Sequence, residues 1–291
     1  MSTKIFVVSW TGARPPGKQL SCAYTLSVAK QAKTARVGLA RALSKLGYCS
    51  RSQAFELIRS GRVQLNGNTA KNPEAPVRLG RDNIAVDHQK IAETAKLYWM
   101  LNKPRGTVTT REDEQGRETV YAGLPKHLPW MGPVGRLDRA SEGLLLFTND
   151  SQWSAKITSP ESHLDKTYHV QIAAVADASL CESLMTGIQT GDAEPLQAKK
   201  ARLVRAGEKN SWIEIVLIEG RNRQIRRMLE ARGVEVLRLI RVAMGPLELG
   251  VLGKGQARAL TKEEKNRLDH ALRAAVEGGP RGATGEHRPG A

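Results

Sequence analysis

The stretch Gly135-Arg136-Leu137-Asp138-Arg139-Ala140-Ser141-Glu142-Gly143-Leu144-Leu145-Leu146-Phe147-Thr148-Asn149-Asp150 places a carboxylate between two arginines, just ahead of an apolar run. Leu144 to Thr148 reads as a central, buried strand, and a helix follows that starts near Asp150 or Ser151 and stops at Pro160. Arginine keeps its charge at any biological pH. A carboxylate flanked in this way therefore suits a polyanionic substrate whose chemistry needs an oxygen nucleophile. A polar turn entering a buried strand would look the same over Arg-Leu-Asp alone, so the surrounding chain has to decide.

On the carboxyl-terminal side, strands are predicted at Thr167 to Ile172, Ala198 to Val204, Trp212 to Ile218 and Val236 to Arg241. Helices are predicted at Ala178 to Thr186 and Gln224 to Arg232, and Thr261-Lys262-Glu263-Glu264 has the capping-box spacing of a last helix running to about Arg273. On the amino-terminal side, Leu97 to Asn102 is a strand halted by the turn Lys103-Pro104-Arg105-Gly106, which carries two cations. Strands with helices set between hairpins, without strict alternation, predict an α+β domain built on a mainly antiparallel mixed sheet, over residues 96–273.

A smaller unit is expected at residues 36–87. Leu39, Leu43 and Leu46 line one helix that ends at Gly47; Ser50 caps a second, whose Ala54, Leu57 and Ile58 are buried and which closes at Gly61. Arg62 to Leu65 then alternates as a strand into Asn66-Gly67, a strong hairpin signal, with Ile84 to Val86 as the return strand. Residues 88–95 read as a polar linker. Residues 1–35 and 274–291 read as disordered, the latter rich in Gly, Pro and charge.

The net charge is +16, from 45 Lys and Arg against 29 Asp and Glu, so the surface attracts phosphates and nucleic acid is the leading partner. No apolar run is long enough to span a bilayer, and membrane binding is not expected. Cys22, Cys49 and Cys181 are odd in number and widely spaced, which fits a reducing cytoplasm and leaves no zinc spacing; no metal and no cofactor is expected.

Cys49 to Ala54 together with Gly61 to Gly67 resemble an S4 RNA-binding domain. That resemblance implies contacts to structured RNA from Arg41, Lys45, Arg51, Arg59 and Arg62. Gly135 to Leu145 is similar to the catalytic motif of the pseudouridine synthases, and within them the RsuA family, Gly-Arg-Leu-Asp-x-x-(Ser/Thr)-x-Gly-Leu-Leu. Leu101-Asn102-Lys103-Pro104-Arg105-Gly106, Lys166-Thr167-Tyr168-His169-Val170 and Gly220 to Met228 resemble three further motifs of that family.

The family resemblance implies a long mixed sheet with a central RNA cleft, and isomerisation of uridine to pseudouridine without a cofactor. By the same carry-over Asp138 is the nucleophile, on ribose or base; Arg226 pairs with it; Tyr168 stacks on the uracil, with proton transfer as a second possibility. Arg136 is placed to fill the stack that the extruded base leaves. Arg139, Lys103, Arg105, Lys166, Arg221 and Arg223 are the further RNA-binding candidates. The expected partner is ribosomal RNA or a ribosome-assembly intermediate, met by a monomer. Two rivals stand beside this reading. One is an S4-type assembly factor without catalysis, the other a glycosidase, which would need a second carboxylate at a matched distance.

Overall fold

The structure, a computed structural model, describes residues Arg36–Glu277; the expected amino-terminal tail, and the expected carboxyl-terminal tail beyond Glu277, lie outside them. The chain opens with strand β1 (Val37–Gly38) and helices α1 (Leu39–Lys45) and α2 (Arg51–Arg59). Ser50 caps α2 in a reciprocal box: its hydroxyl accepts from the Gln53 N–H at 3.1 Å, and the Gln53 side-chain oxygen accepts from the Ser50 N–H at 3.2 Å. Leu39, Leu43, Ala54 and Ile58 close a small core with Val63, Val77, Ile84 and Val86.

The expected return strand Ile84–Val86 does pair antiparallel with Val63–Leu65, but the turn itself leads into a further strand. Asn66 and Gly67 both take positive φ (53° and 85°), the geometry of a two-residue turn, so β2 (Val63–Leu65) reverses at once into β3 (Asn68–Thr69). The strand β4 (Pro76–Val77) pairs with β1, and β5 (Ile84–Val86) lies along the other side of β2. Asp87 and His88 repeat the positive-φ pair (48° and 65°), which turns the expected linker into a further hairpin strand, β6 (Gln89–Lys90).

The larger unit contains β7 (Tyr98–Lys103), β8 (Gly132–Val134), β9 (Glu142–Thr148), α3 (Ser151–Thr158), β10 (Lys166–Ile172), α4 (Ala178–Thr186), β11 (Lys200–Ala206), β12 (Ser211–Leu217), α5 (Gln224–Glu230), β13 (Val236–Met244), β14 (Leu247–Glu248), β15 (Ala257–Ala259) and α6 (Lys262–Glu277). One sheet runs in the order β11-β12-β10-β13-β9-β7-β15, with β8 on β9 and β14 on β13. Its pairings are antiparallel except that of β9 with β13, so the α+β expectation holds. Strand β11 starts two residues later than predicted because the Ala198 N–H is still bound to the Leu184 carbonyl at 2.8 Å. Helix α6 passes Arg273 and reaches Glu277, the last described residue.

Every residue of β9 is buried, as a strand covered on both faces requires. Leu145 and Phe147 point to one core, closed by Leu180 and Leu184 of α4 and Ile225 and Met228 of α5. Leu144 and Leu146 point to the other, closed by Trp153 and Ile157 of α3 and Leu268 and Leu272 of α6. Truncating either leucine of that second face to alanine would cost about 2 to 5 kcal/mol. Gly143 makes the parallel contact possible: its φ is +101°, and a Cβ there would run into the backbone of Arg241.

Asn149, fully buried at the end of β9, ties the two units together. Its side chain accepts from the Leu97 N–H and donates to the Ala95 carbonyl, both at 2.8 Å, and it packs against Gly47 behind α1. The Thr94 N–H reaches the Leu46 carbonyl at 3.0 Å from the same joint.

Candidate active site

Between β8 and β9, residues Gly135 to Ser141 have no regular structure, yet five successive carbonyls are satisfied. Leu137 O accepts from the Thr109 hydroxyl (2.7 Å), Asp138 O from the Ser141 N–H (3.0 Å) and Arg139 O from the Gly106 N–H (2.8 Å). Ala140 O accepts from Arg226 Nη2 (3.1 Å) and Ser141 O from Lys103 Nζ (2.9 Å). Apart from the Ser141 N–H, which lies in the loop itself, the donors come from the end of β7, the segment after it, and α5. A loop held by partners from such distant parts of the chain cannot shift without leaving buried carbonyls unpaired, at about 1 to 3 kcal/mol each. The backbone that carries Asp138 is thereby held in place, as a preorganised site requires.

Two cations differ from the sequence reading. Lys103, expected on RNA, is fully buried; its ammonium donates to the Pro104 and Ser141 carbonyls, and burial pushes its pKa down to about 8 against the pull of Asp138 and Glu142. It is a strut of the loop and out of reach of phosphate. Arg226 forms no salt bridge with Asp138 among the described residues. Its guanidinium spans the Ala140 and Val236 carbonyls, and Nε is buried without a partner. Burial and Arg223 lower its pKa while the field of Asp138 opposes them, so the aspartate acts on it at longer range.

A cavity of about 270 Å³ opens beside the loop, lined by Asp138, Tyr168, Lys166, Arg136, Arg221, Arg223 and Arg241. Tyr168 comes from β10, on the same face as Lys166 and Val170, and is 8% exposed. Lys166 donates to the Ile218 carbonyl at 2.6 Å, and burial together with Arg241 holds its pKa down. Arg221 bridges Glu194 and Glu219, both at 3.1 Å, and Arg223 stands exposed in the left-handed region (φ 48°) at the start of α5. Arg136 and Arg139 are exposed, Arg136 on the cavity and Arg139 outside its lining; Arg105 is exposed and reaches the Leu237 carbonyl at 3.3 Å.

In the amino-terminal unit Arg41, Arg51 and Arg59 are exposed with no carboxylate partner among the described residues, and Arg59 lies over the Phe55 ring. Lys45 is half-buried, and Arg62 is paired to Asp87 at 2.5 Å. Among the described residues no group of three His, Cys, Asp or Glu is placed to hold a metal ion, and no helix is long and apolar enough to cross a membrane.

Sequence reasoning passed over Arg241 and Glu142. Arg241 is 5% exposed in the middle of β13 and donates from Nε to the Leu144 carbonyl at 2.8 Å. Glu142 is buried between Arg238 (3.1 Å) and Lys254 (2.8 Å); burial raises its pKa, and hydrogen bonds from those two cations outweigh it and hold it below the usual carboxylate range. The available signal was an arginine and a glutamate standing inside otherwise apolar strands, where charge persists only with partners.

Residues 97–231 match the family model described as RNA pseudouridylate synthase, and residues 37–83 match the S4 domain. The chain is 36% identical over 245 residues to ribosomal large subunit pseudouridine synthase B of Bacillus subtilis (strain 168), covering 81% of this chain and 98% of that protein. It is 36% identical over 234 residues to an uncharacterized RNA pseudouridine synthase of Aquifex aeolicus (strain VF5), covering 79% and 92%. A solved structure described as a pseudouridylate synthase superposes with a TM-score of 0.57 at 32% identity, over 80% of this chain and 99% of that one.

Proposed function

Since the chain belongs to the RNA pseudouridine synthase family and carries an S4 domain, we propose that it isomerises a specific uridine of ribosomal RNA, with Asp138 as the nucleophile. It is an isomerase acting on RNA. In the proposed setting it works in the cytoplasm as a monomer, on free ribosomal RNA or an assembly intermediate.

The reaction keeps every atom. The N1–C1′ bond of uridine breaks, the uracil turns, C5 bonds to C1′, the C5 proton leaves and N1 takes one up. Asp138 supplies the attacking oxygen, to ribose or base. Arg226 and Lys103 make no hydrogen bond to that carboxylate among the described residues. They hold the carbonyls of Ala140 and Ser141, just beyond the nucleophile, and so keep the carboxylate aimed. Tyr168 offers a ring for the uracil to stack on. Arg136, exposed on the cavity, fills the gap that the base leaves in the RNA stack, and the other exposed arginines receive phosphates.

The observation that carries this reading is the joining, in one cavity, of a carboxylate on a clamped loop, an aromatic ring and several arginines from segments roughly 30 to 100 residues apart. A metal-free glycosidase pair is not present there: Asp138 is the cavity's only carboxylate among the lining residues. The test uses ribosomal RNA from a strain lacking the gene, incubated with purified protein and then sequenced after carbodiimide treatment. A new stop with the wild type and none with Asp138→Asn is expected. A stop with the variant would overturn the role of Asp138, and no stop with the wild type would overturn ribosomal RNA as target.

A further inference from the structure

Neither the loop clamp nor the phosphate contacts account for Arg241, which also lines the cavity. It is 5% exposed, and it sits in β13 directly across from Tyr168 of β10, where the register slips between Thr167 and Tyr168 and Val242 is skipped. On its other side the parallel partner is Gly143, whose missing side chain lets the backbones close up. Nε donates to the Leu144 carbonyl at 2.8 Å, which fixes the plane of the guanidinium. Nη2 is buried and has no hydrogen-bond partner.

That combination is costly unless a ligand completes it, because a buried charged donor without an acceptor loses its full hydration. Neighbouring Arg238, also on β13, shows the contrast: Glu142 accepts from its Nε and its Nη2, both at 3.1 Å. We propose that Arg241 reads the extruded uracil, donating from Nη2 to a carbonyl oxygen of the base that stacks on Tyr168. The proposal rests on the cavity being the uridine site.

A base carbonyl fits better than a phosphate for a reason of placement. Arg136 and Arg223 line the same cavity and are exposed, so a hydrated phosphate meets them first, whereas Arg241 lies inside the sheet beside the aromatic ring. A guanidinium only donates, so it rewards O2 or O4 of uracil, and where it meets O4 it also penalises the amino group that cytosine carries there. Negative charge also gathers on these oxygens when the glycosidic bond breaks. A fixed donor aimed there stabilises the transition state more than the ground state.

The experiment compares three target RNAs, each tritiated at C5 of the target nucleotide: uridine, 2-thiouridine and 4-thiouridine. Tritium release under single-turnover conditions is followed for the wild type, Arg241→Met and Arg241→Lys. Sulfur is a poor acceptor, so the wild type is expected to slow by about tenfold or more on one thio-RNA, and which one identifies the oxygen. Arg241→Met is expected to slow on uridine by about a hundredfold, as when one such donor is lost, and to show no thio preference; Arg241→Lys recovers part of both. A purely structural role would slow all three RNAs equally and leave the preference intact, which overturns the proposal. A wild type with no preference at either position overturns it without any variant. A wild type that releases no tritium from the uridine RNA overturns the reading of the site itself.

Discussion

Arg41, Arg51 and Arg59 of the amino-terminal unit stand in solvent, while Lys103, Arg226 and Arg241 of the larger unit are buried or half-buried, each with at least one donor on a backbone carbonyl. The residue types are the same and the physics is opposite. Exposed cations gain from phosphates through released counterions, are interchangeable, and weaken with salt. Buried cations are shielded from salt, and each is bound to a particular oxygen. Under the proposed function the first group would set how tightly RNA is held, while Lys103 and Arg226 of the second hold the loop that carries Asp138.

The largest effect expected from this contrast is at the carboxylate itself. Asp138→Asn should keep RNA affinity within about threefold of wild type and lower pseudouridine formation by at least about a thousandfold, because the amide keeps the shape and loses the nucleophile. Tritium release from C5-labelled RNA measures it, and activity within tenfold of wild type would remove Asp138 from the mechanism.

Arg226→Lys comes next. Lysine keeps the charge but cannot span the Ala140 and Val236 carbonyls with a planar fork, so turnover should fall by about a hundredfold while affinity changes little. If affinity alone fell, Arg226 would belong with the exposed group. Tyr168→Ala should lose about 1 to 3 kcal/mol of stacking, roughly 5- to 150-fold in kcat/KM, with Tyr168→Phe close to wild type. Equal losses in the two variants would assign the hydroxyl a part in proton transfer.

On the other side of the comparison, replacing Arg41, Arg51 and Arg59 together by Gln should leave turnover at saturating RNA unchanged. Affinity should drop and the salt slope should become shallower by about 2 units, at roughly 0.7 per phosphate contact. An unchanged slope would show that this face does not meet RNA.

The smallest effect concerns Lys103. Its pKa is depressed to about 8, so below that pH the folded state carries a buried charge at a cost. As pH rises from about 8 towards 10.5 the folded protein releases the proton before the unfolded chain does, and the cost is relieved. The wild type should therefore gain stability relative to Lys103→Met between about pH 7.5 and 9.5, by about 1 to 2 kcal/mol; parallel unfolding curves across that range would contradict the burial of the charge.

Much of the architecture was legible in the chain because its signals are local. The apolar run of β9, the Ser50 cap, the capping box at Thr261 to Glu264 and the span Ala178–Thr186 are written in consecutive residues. Where turn chemistry competed with longer-range pairing the sequence reading slipped: Asn66-Gly67 reversed into Asn68–Thr69, and Asp87-His88 built a hairpin from polar residues that carry no strand pattern.

By itself the sequence determined the family-like motifs, the basic character and the short list of side chains able to act, since these depend on residue identity and near-neighbour spacing. Only the tertiary structure decided which cations are buried and which oxygens they meet. Lys103 and Ser141 are 38 residues apart, Ala140 and Arg226 are 86, and Leu144 and Arg241 are 97. Burial and hydrogen-bond partnership arise where such distant segments meet, and nothing in the local pattern of an arginine tells whether its donors will end on a carbonyl, a phosphate or, as in Arg241, on nothing the protein itself provides.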